Sequence, residues 1–234
     1  MCVVALAHRV HPEWPLILLG NRDEFHARPA APLHAWDDGS GIVAGRDLQA
    51  GGTWLGVQPE RRRIVVVTNV RGAPPDPAKE SRGALVVDML RGDGRFADPV
   101  ESDLDRFNAF NLFSVAGDEA RLLSNRPAPH IDALGGGIHA LANEPVDTPC
   151  PRADRLADIL RRQVKKPDPD FGALMAALTD SDAPALFLPG EVYGTRCSTL
   201  VAVGRTGQVL MMERRYDARG RTTGRTSLTS DWGG

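Results

Sequence analysis

Lysine is nearly missing from this chain. Of 28 basic residues in 234, only Lys79, Lys165 and Lys166 are lysine, and the other 25 are arginine. The arginines are scattered rather than striped, so they make no basic face for a nucleic acid. Neither sign of charge dominates. Thirty acidic residues leave a net charge of -2, which excludes a strongly basic binder and an acidic disordered chain. Cysteine is scarce and odd in number. Cys2, Cys150 and Cys197 contain no CxxC pair, which excludes a disulfide framework, a zinc ribbon and a thioredoxin-type motif. Long apolar runs are also missing, and nothing approaches the ~20 residues of a membrane span. The first apolar stretch, Cys2 to Ala7, stops at His8-Arg9 with no basic segment ahead of it, unlike a secretory signal. Six histidines lack the HExxH spacing, so no metal site is expected. The expectation is a soluble cytoplasmic protein with no membrane span and no nucleic-acid partner.

What is present is a globular composition: 42% hydrophobic and 25% charged residues. Val3–Ala7 and Leu16–Gly20 read as a hairpin across the proline turn His11–Pro15, with the polar Asn21–Glu24 following the second strand. Arg28–Leu33, rich in proline and alanine, reads as a loop. Thr53–Val57 and Ile64–Val67 read as a strand pair. Ser81–Leu90 has helical spacing, and a second short helix follows Asp98. Asn111–Ala116 and Glu119–Leu123 read as a hairpin. Pro151–Lys166 is the clearest helix, with Leu156, Ile159, Leu160 and Val164 on one face and cations in its last turn. Phe171–Leu178 reads as another helix, and Thr199–Val203 with Gln208–Glu213 as a last hairpin. The tail from Arg219 is expected to add an edge strand or to fray. No repeat or long linker interrupts this order. It predicts one α+β domain over residues 1–234, with layered antiparallel sheets.

The first chemical candidate is Cys2. Removal of Met1 would leave a thiol and a free α-amine on one residue. An α-amine with a pKa near ~7.7–8.0 is a competent base at neutral pH. It can take the thiol proton without help from a histidine. Against this stands the plain reading of Cys2 as a small buried residue opening a strand. Asn21-Arg22-Asp23-Glu24 is the second candidate, because a hairpin brings it back to Cys2. Asp23 would orient the amine, and Arg22 would lower the thiol pKa or bind a substrate carboxylate. Asn69 and Asn143 each end an apolar stretch, where a donor could meet an oxyanion or merely cap a turn. Trp54, in the glycine-rich segment Ala44–Gly56, would line a pocket or sit in the core. Arg196 precedes the last hairpin. Cys150 and Cys197 read as small buried residues.

Met1-Cys2, LGNRDEF, GRD followed by GGTWLG, VTN, SRG at 81–83, ALANEP and YGTRCST together resemble the NRDE family. It is also called the transport and Golgi organisation protein two family. The matches run from residue 1 to about residue 215. That family resembles the N-terminal-nucleophile hydrolases of the penicillin acylase and bile-salt hydrolase type. The resemblance implies an αββα sandwich of two antiparallel sheets between helix layers. It carries Cys2 over as nucleophile and Asp23 as the carboxylate that orients its amine. Asn143 carries over as an oxyanion donor, with the Asn69 main-chain N–H completing the hole. Arg196 corresponds loosely to a late active-site arginine. Those hydrolases have an arginine three residues before the aspartate, where this chain has Gly20. Arg22, adjacent to Asp23, is the arginine at hand instead.

Two functions are implied. The first is a cysteine amidase cleaving a non-peptide C–N bond through a thioester, with no cofactor and a small amide or acyl substrate. Asn21, Arg22, Trp54 and Arg196 would contact that substrate. The alternative is a non-catalytic binding or trafficking protein that keeps the scaffold for haem or an acyl or lipid ligand. A haem carrier needs an axial His, Cys or Met in an apolar pocket, and no motif here selects one.

Overall fold

In a run of Val, Ala and Leu, every side chain of an extended strand is apolar, so both of its faces must be covered. Strand β1 (Cys2–His8) is such a run, and all seven of its residues are buried. The computed structural model describes residues 2–72 and 74–233. The chain forms two units, each built around one antiparallel sheet with its own helices.

The first unit takes residues 1–28, 135–142 and 149–231. Its six strands are ordered β10 (Gly137–Leu141), β1, β2 (Leu16–Phe25), β11 (Tyr193–Val203), β12 (Gln208–Tyr216) and β13 (Thr222–Asp231). Helices α3 (Pro151–Gln163) and α4 (Phe171–Ala177) pack on one face of this sheet. Val3, Ala5, Ala7, Ile17, Leu19, Leu200 and Ala202 meet Leu156, Leu160 and Leu174 there. Each fully buried leucine in this layer contributes about 1.5–3 kcal/mol. Pro151 sits in the first turn of α3, and Arg161 and Arg162 in its last, where a cation suits the helix dipole.

The second unit takes residues 29–134, 143–148 and 232–234. Its seven strands run in chain order: β3 (Ala30–Ala35), β4 (Val43–Asp47), β5 (Leu55–Gln58), β6 (Arg63–Asn69), β7 (Phe110–Ala116), β8 (Glu119–Ser124) and β9 (His130–Leu134). Helix α1 (Arg82–Arg91) is capped by Ser81, whose side chain accepts from the Ala84 N–H. It ends at Gly92 with φ of 66°, a conformation that favours glycine. Leu85, Val86, Met89 and Leu90 of α1, with Leu104 of α2 (Glu101–Leu104), bury against Val65, Val67, Leu112 and Leu123.

The hairpins, all four helices and the closing edge strand stand close to their expected positions, and the α+β class holds. Three readings change. Asn21–Glu24 does not follow the second strand; it is the second half of β2, because β1 and β11 pair with it on both sides. Most of the expected loop Arg28–Leu33 belongs to β3 (Ala30–Ala35). An edge strand tolerates Pro32, and the register shifts between Ala31 and His34 around it. Thr53 and Trp54 lie outside β5, which starts at Leu55. Strands β4 and β9 were not anticipated.

Candidate active site

The register of three strands builds the site in the first unit. Cys2 of β1 lies opposite Arg22 of β2, and Arg22 lies opposite Cys197 of β11. Side chains alternate along a strand, so these three share the face away from α3 and α4. The antiparallel run that pairs Cys2 with Arg22 puts the Cys2 main-chain nitrogen on the Asp23 side of the thiol. The Asp23 main-chain N–H donates to the sulfur. Burial pushes the Cys2 thiol up, and the negative Asp23 adds to this, while that hydrogen bond and the Arg22 cation work against it. The hairpin therefore brings the NRDE segment to Cys2, as its sequence position predicts.

Asp23 itself is buried on the helix-facing side. Its Oδ2 pairs with Arg152 Nη2 of α3 at 2.8 Å, and its Oδ1 accepts from the Thr195 hydroxyl at 2.6 Å. The Tyr193 hydroxyl donates to the Asp23 main-chain carbonyl at 2.8 Å. Burial raises the carboxyl, while Arg152 and Thr195 hold it down. Arg152, Thr195 and Tyr193 escaped the sequence reading. Arg152 carried a signal: a cation in the first turn of a helix opposes the dipole, so it needs a partner elsewhere. Thr195 stands directly before Arg196 in the YGTRCST motif.

Gly20 explains the missing upstream arginine in steric terms. A Cβ there would lie 2.4 Å from the Val3 carbonyl oxygen and 2.6 Å from Val4 Cγ1. Close packing of β1 on β2 leaves that position no room for a side chain.

Two expected substrate contacts carry structural hydrogen bonds. Asn21 is fully buried, and its amide donates to the carbonyls of Leu178 and Leu186, both at 2.8 Å. Its oxygen accepts from Ser198, which also bonds the Tyr216 hydroxyl. With both amide hydrogens used and no exposed atom, Asn21 clamps the α4–β11 connection and has nothing left for a substrate. Arg196 sits where the β2–β11 register slips between Thr195 and Cys197. Its guanidinium donates to the carbonyls of Phe25 at 2.7 Å and Arg28 at 3.0 Å. Burial and the neighbouring Arg22 lower its pKa, and Cys197 and Glu24 oppose them. Arg22 is 3.7 Å from the Glu24 carboxylate.

The remaining candidates lie in the second unit. Asn143 is buried, and its side-chain amide donates to the Asn69 carbonyl at 2.6 Å. The Asn143 carbonyl accepts from the Arg71 N–H, so the residue is tied at both ends. Trp54 is partly buried just before β5, and its carbonyl accepts from the Val67 N–H of β6.

Among the described residues no group of His, Cys, Asp or Glu is set to hold a metal ion. His11 accepts the N–H groups of Glu13 and Trp14 on Nδ1 and meets the Lys166 carbonyl through Nε2, so both ring nitrogens are occupied. Among the described residues no helix is long and apolar enough to cross a membrane.

Residues 1–218 match the family described as Transport and Golgi organisation 2. The chain belongs to that family. Transport and Golgi organization 2 homologs from Mus musculus and Homo sapiens are 27% and 28% identical to it, each alignment covering 92% of both chains. The Drosophila melanogaster Transport and Golgi organization protein 2 is 29% identical over 61% of this chain and 58% of its own. Among solved structures, a Caenorhabditis elegans N-acylethanolamine-hydrolyzing acid amidase ortholog matches with a TM-score of 0.54. It is 10% identical, over 85% of this chain and 92% of the other. At that identity the likeness is one of fold, and it bears out the fold class expected for an N-terminal-nucleophile hydrolase.

Proposed function

We propose that this protein is an N-terminal cysteine amidase that cleaves a non-peptide C–N bond of a small acyl amide. The observation that carries the reading is the meeting of Cys2 and Asp23. The Asp23 N–H reaches the thiol sulfur, and its carboxylate is held by Arg152 and Thr195. The fold shared with an N-acylethanolamine-hydrolyzing amidase supports it.

In the mature chain Met1 is removed and the Cys2 nitrogen is a free amine. Burial holds the thiol protonated at neutral pH, so a base must act during attack. The amine takes the thiol proton as sulfur adds to the amide carbonyl. The C–N bond then breaks, and the leaving amine carries off the proton from the ammonium. A thioester on Cys2 remains. Water, deprotonated by the same amine, attacks it, and the carboxylic acid leaves with the thiol restored. Asp23 orients the amine throughout. Arg22, beside the thiol, suits an anionic group on the substrate. The oxyanion roles of Asn143 and the Asn69 N–H, and a substrate contact from Trp54, rest on the family resemblance alone.

The test is a screen of N-acyl amides on protein whose intact mass lacks Met1, beside a Cys2→Ala variant of unchanged thermal stability. Turnover lost in Cys2→Ala, with a trapped acyl adduct on Cys2 in the parent, is expected. Hydrolysis retained by Cys2→Ala, or retention of Met1 in active protein, overturns the reading.

A further inference from the structure

Arg152 is an odd residue for its place. It sits just inside the start of α3, next to Pro151, where the helix dipole disfavours a cation. It is largely buried, and burial of a guanidinium is costly unless it is paired. Its Nη2 both pairs with the fully buried Asp23 carboxylate and donates to the Leu186 carbonyl. The Asp23 carboxylate receives a second donor from the opposite side. Thr195 Oγ1 accepts the Leu188 N–H at 2.9 Å, so its own hydrogen is free to turn to Asp23 Oδ1. Burial raises this carboxyl above its ordinary range, and the Arg152 cation on one oxygen with the Thr195 hydroxyl on the other opposes that rise. Leu186 and Leu188 belong to the α4–β11 connection that Asn21 also clamps. Two strands, a helix and this connection thus converge on one carboxylate.

We infer that Arg152 is a positioning residue of the reaction, keeping the buried Asp23 ionised and aimed at the amine of Cys2. The catalytic purpose rests on the amidase reading; the hold on Asp23 does not. The charged and titratable groups facing Asp23 among the described residues are Arg152 from α3 and Cys2 from β1. From β11 the hydroxyls of Thr195 and Tyr193 reach it. Among these Arg152 makes the strongest opposition to burial. Without it the carboxyl keeps its proton to higher pH and ceases to accept from the amine.

The experiment compares Arg152→Met and Arg152→Lys with the parent, all lacking Met1 and all checked for melting temperature. One readout is the 13C carboxyl titration of Asp23, identified by its loss in Asp23→Asn. The other is the pH profile of Cys2 acylation by p-nitrophenyl acetate, followed by intact mass. In Arg152→Met the Asp23 midpoint moves to higher pH. Acylation at neutral pH falls on the order of 10²-fold, the scale of a misplaced catalytic group, and its acid limb shifts upward. Arg152→Lys restores both in part. An unmoved Asp23 midpoint, or a slower rate with an unshifted acid limb, overturns the inference. A parent that never acylates at Cys2 overturns the amidase reading instead, while the carboxyl titration still decides whether Arg152 holds Asp23.

Discussion

Cys2 and Cys197 face the same side of one sheet with Arg22 between them. The ladder sets Cys2 against Arg22 and Arg22 against Cys197. Neighbouring strands lie about 4.7–4.9 Å apart, so the two cysteines stand roughly 10 Å apart along the backbone ladder. A disulfide needs their α-carbons within about 7 Å.

It follows that the two thiols stay unlinked even in oxidising buffer. Peptide mapping without reductant is expected to find no Cys2–Cys197 bridge, in keeping with three free cysteines. Burial, with Glu213 adding to it, raises the Cys197 thiol far above the range where it reacts. Cys197→Ser is therefore expected to leave the acylation of Cys2 unchanged. A bridge, or a loss of Cys2 acylation in a stably folded Cys197→Ser protein, would refute this arrangement.

The Cys2 thiol carries a pH signature. Burial raises its pKa, so the thiolate is scarce until the solution is more alkaline than an exposed cysteine requires. Arg22 favours the thiolate, and its removal adds to the rise. Iodoacetamide alkylation of Cys2 is expected to climb at higher pH than that of an exposed thiol. In Arg22→Gln the curve should move further up. A curve that moves down in Arg22→Gln would mean that the Glu24 carboxylate, and not the Arg22 cation, governs the thiol.

Asn21 is expected to be a stability residue. Asn21→Leu strands the Leu178 carbonyl and takes one partner each from the Leu186 carbonyl, which Arg152 still holds, and the Ser198 hydroxyl, which Tyr216 still meets. The stranded carbonyl costs about 1–3 kcal/mol and each lost hydrogen bond about 0.5–1.5 kcal/mol, so urea unfolding should show a loss of about 2–5 kcal/mol with the m-value unchanged. A variant of native stability would return Asn21 to the list of substrate contacts.

Much of the frame was legible because its signals are local. Ser81 before an apolar helical stripe, Pro151 at a helix start and the Gly117-Asp118 turn each announce an element from a few residues. The NRDE segment misled because its polarity resembles a loop. Its place in a strand depends on two partners, one of them β11, far away in sequence. Strand β3 misled for a related reason, since Pro32 is permitted only by the edge position. At the site, Cys2 and Asp23 were readable together because a hairpin joins them. Arg152 was not, because the ion pair crosses from a strand to a helix about 130 positions on, and no local pattern encodes such a meeting.

The interleaving of the two units has a consequence for synthesis. Strand β2 has only β1 as a partner until β11 follows, about 170 residues later, which at ~5–20 residues per second is on the order of 10–30 s of translation. The second unit's sheet, residues 30–134, emerges wholly within that interval. The nascent chain therefore carries an apolar hairpin, with the future nucleophile at its open end, while a finished sheet forms behind it. Ribosome-bound chains ending near residue 190 are the stage at which chaperone capture or aggregation would concentrate.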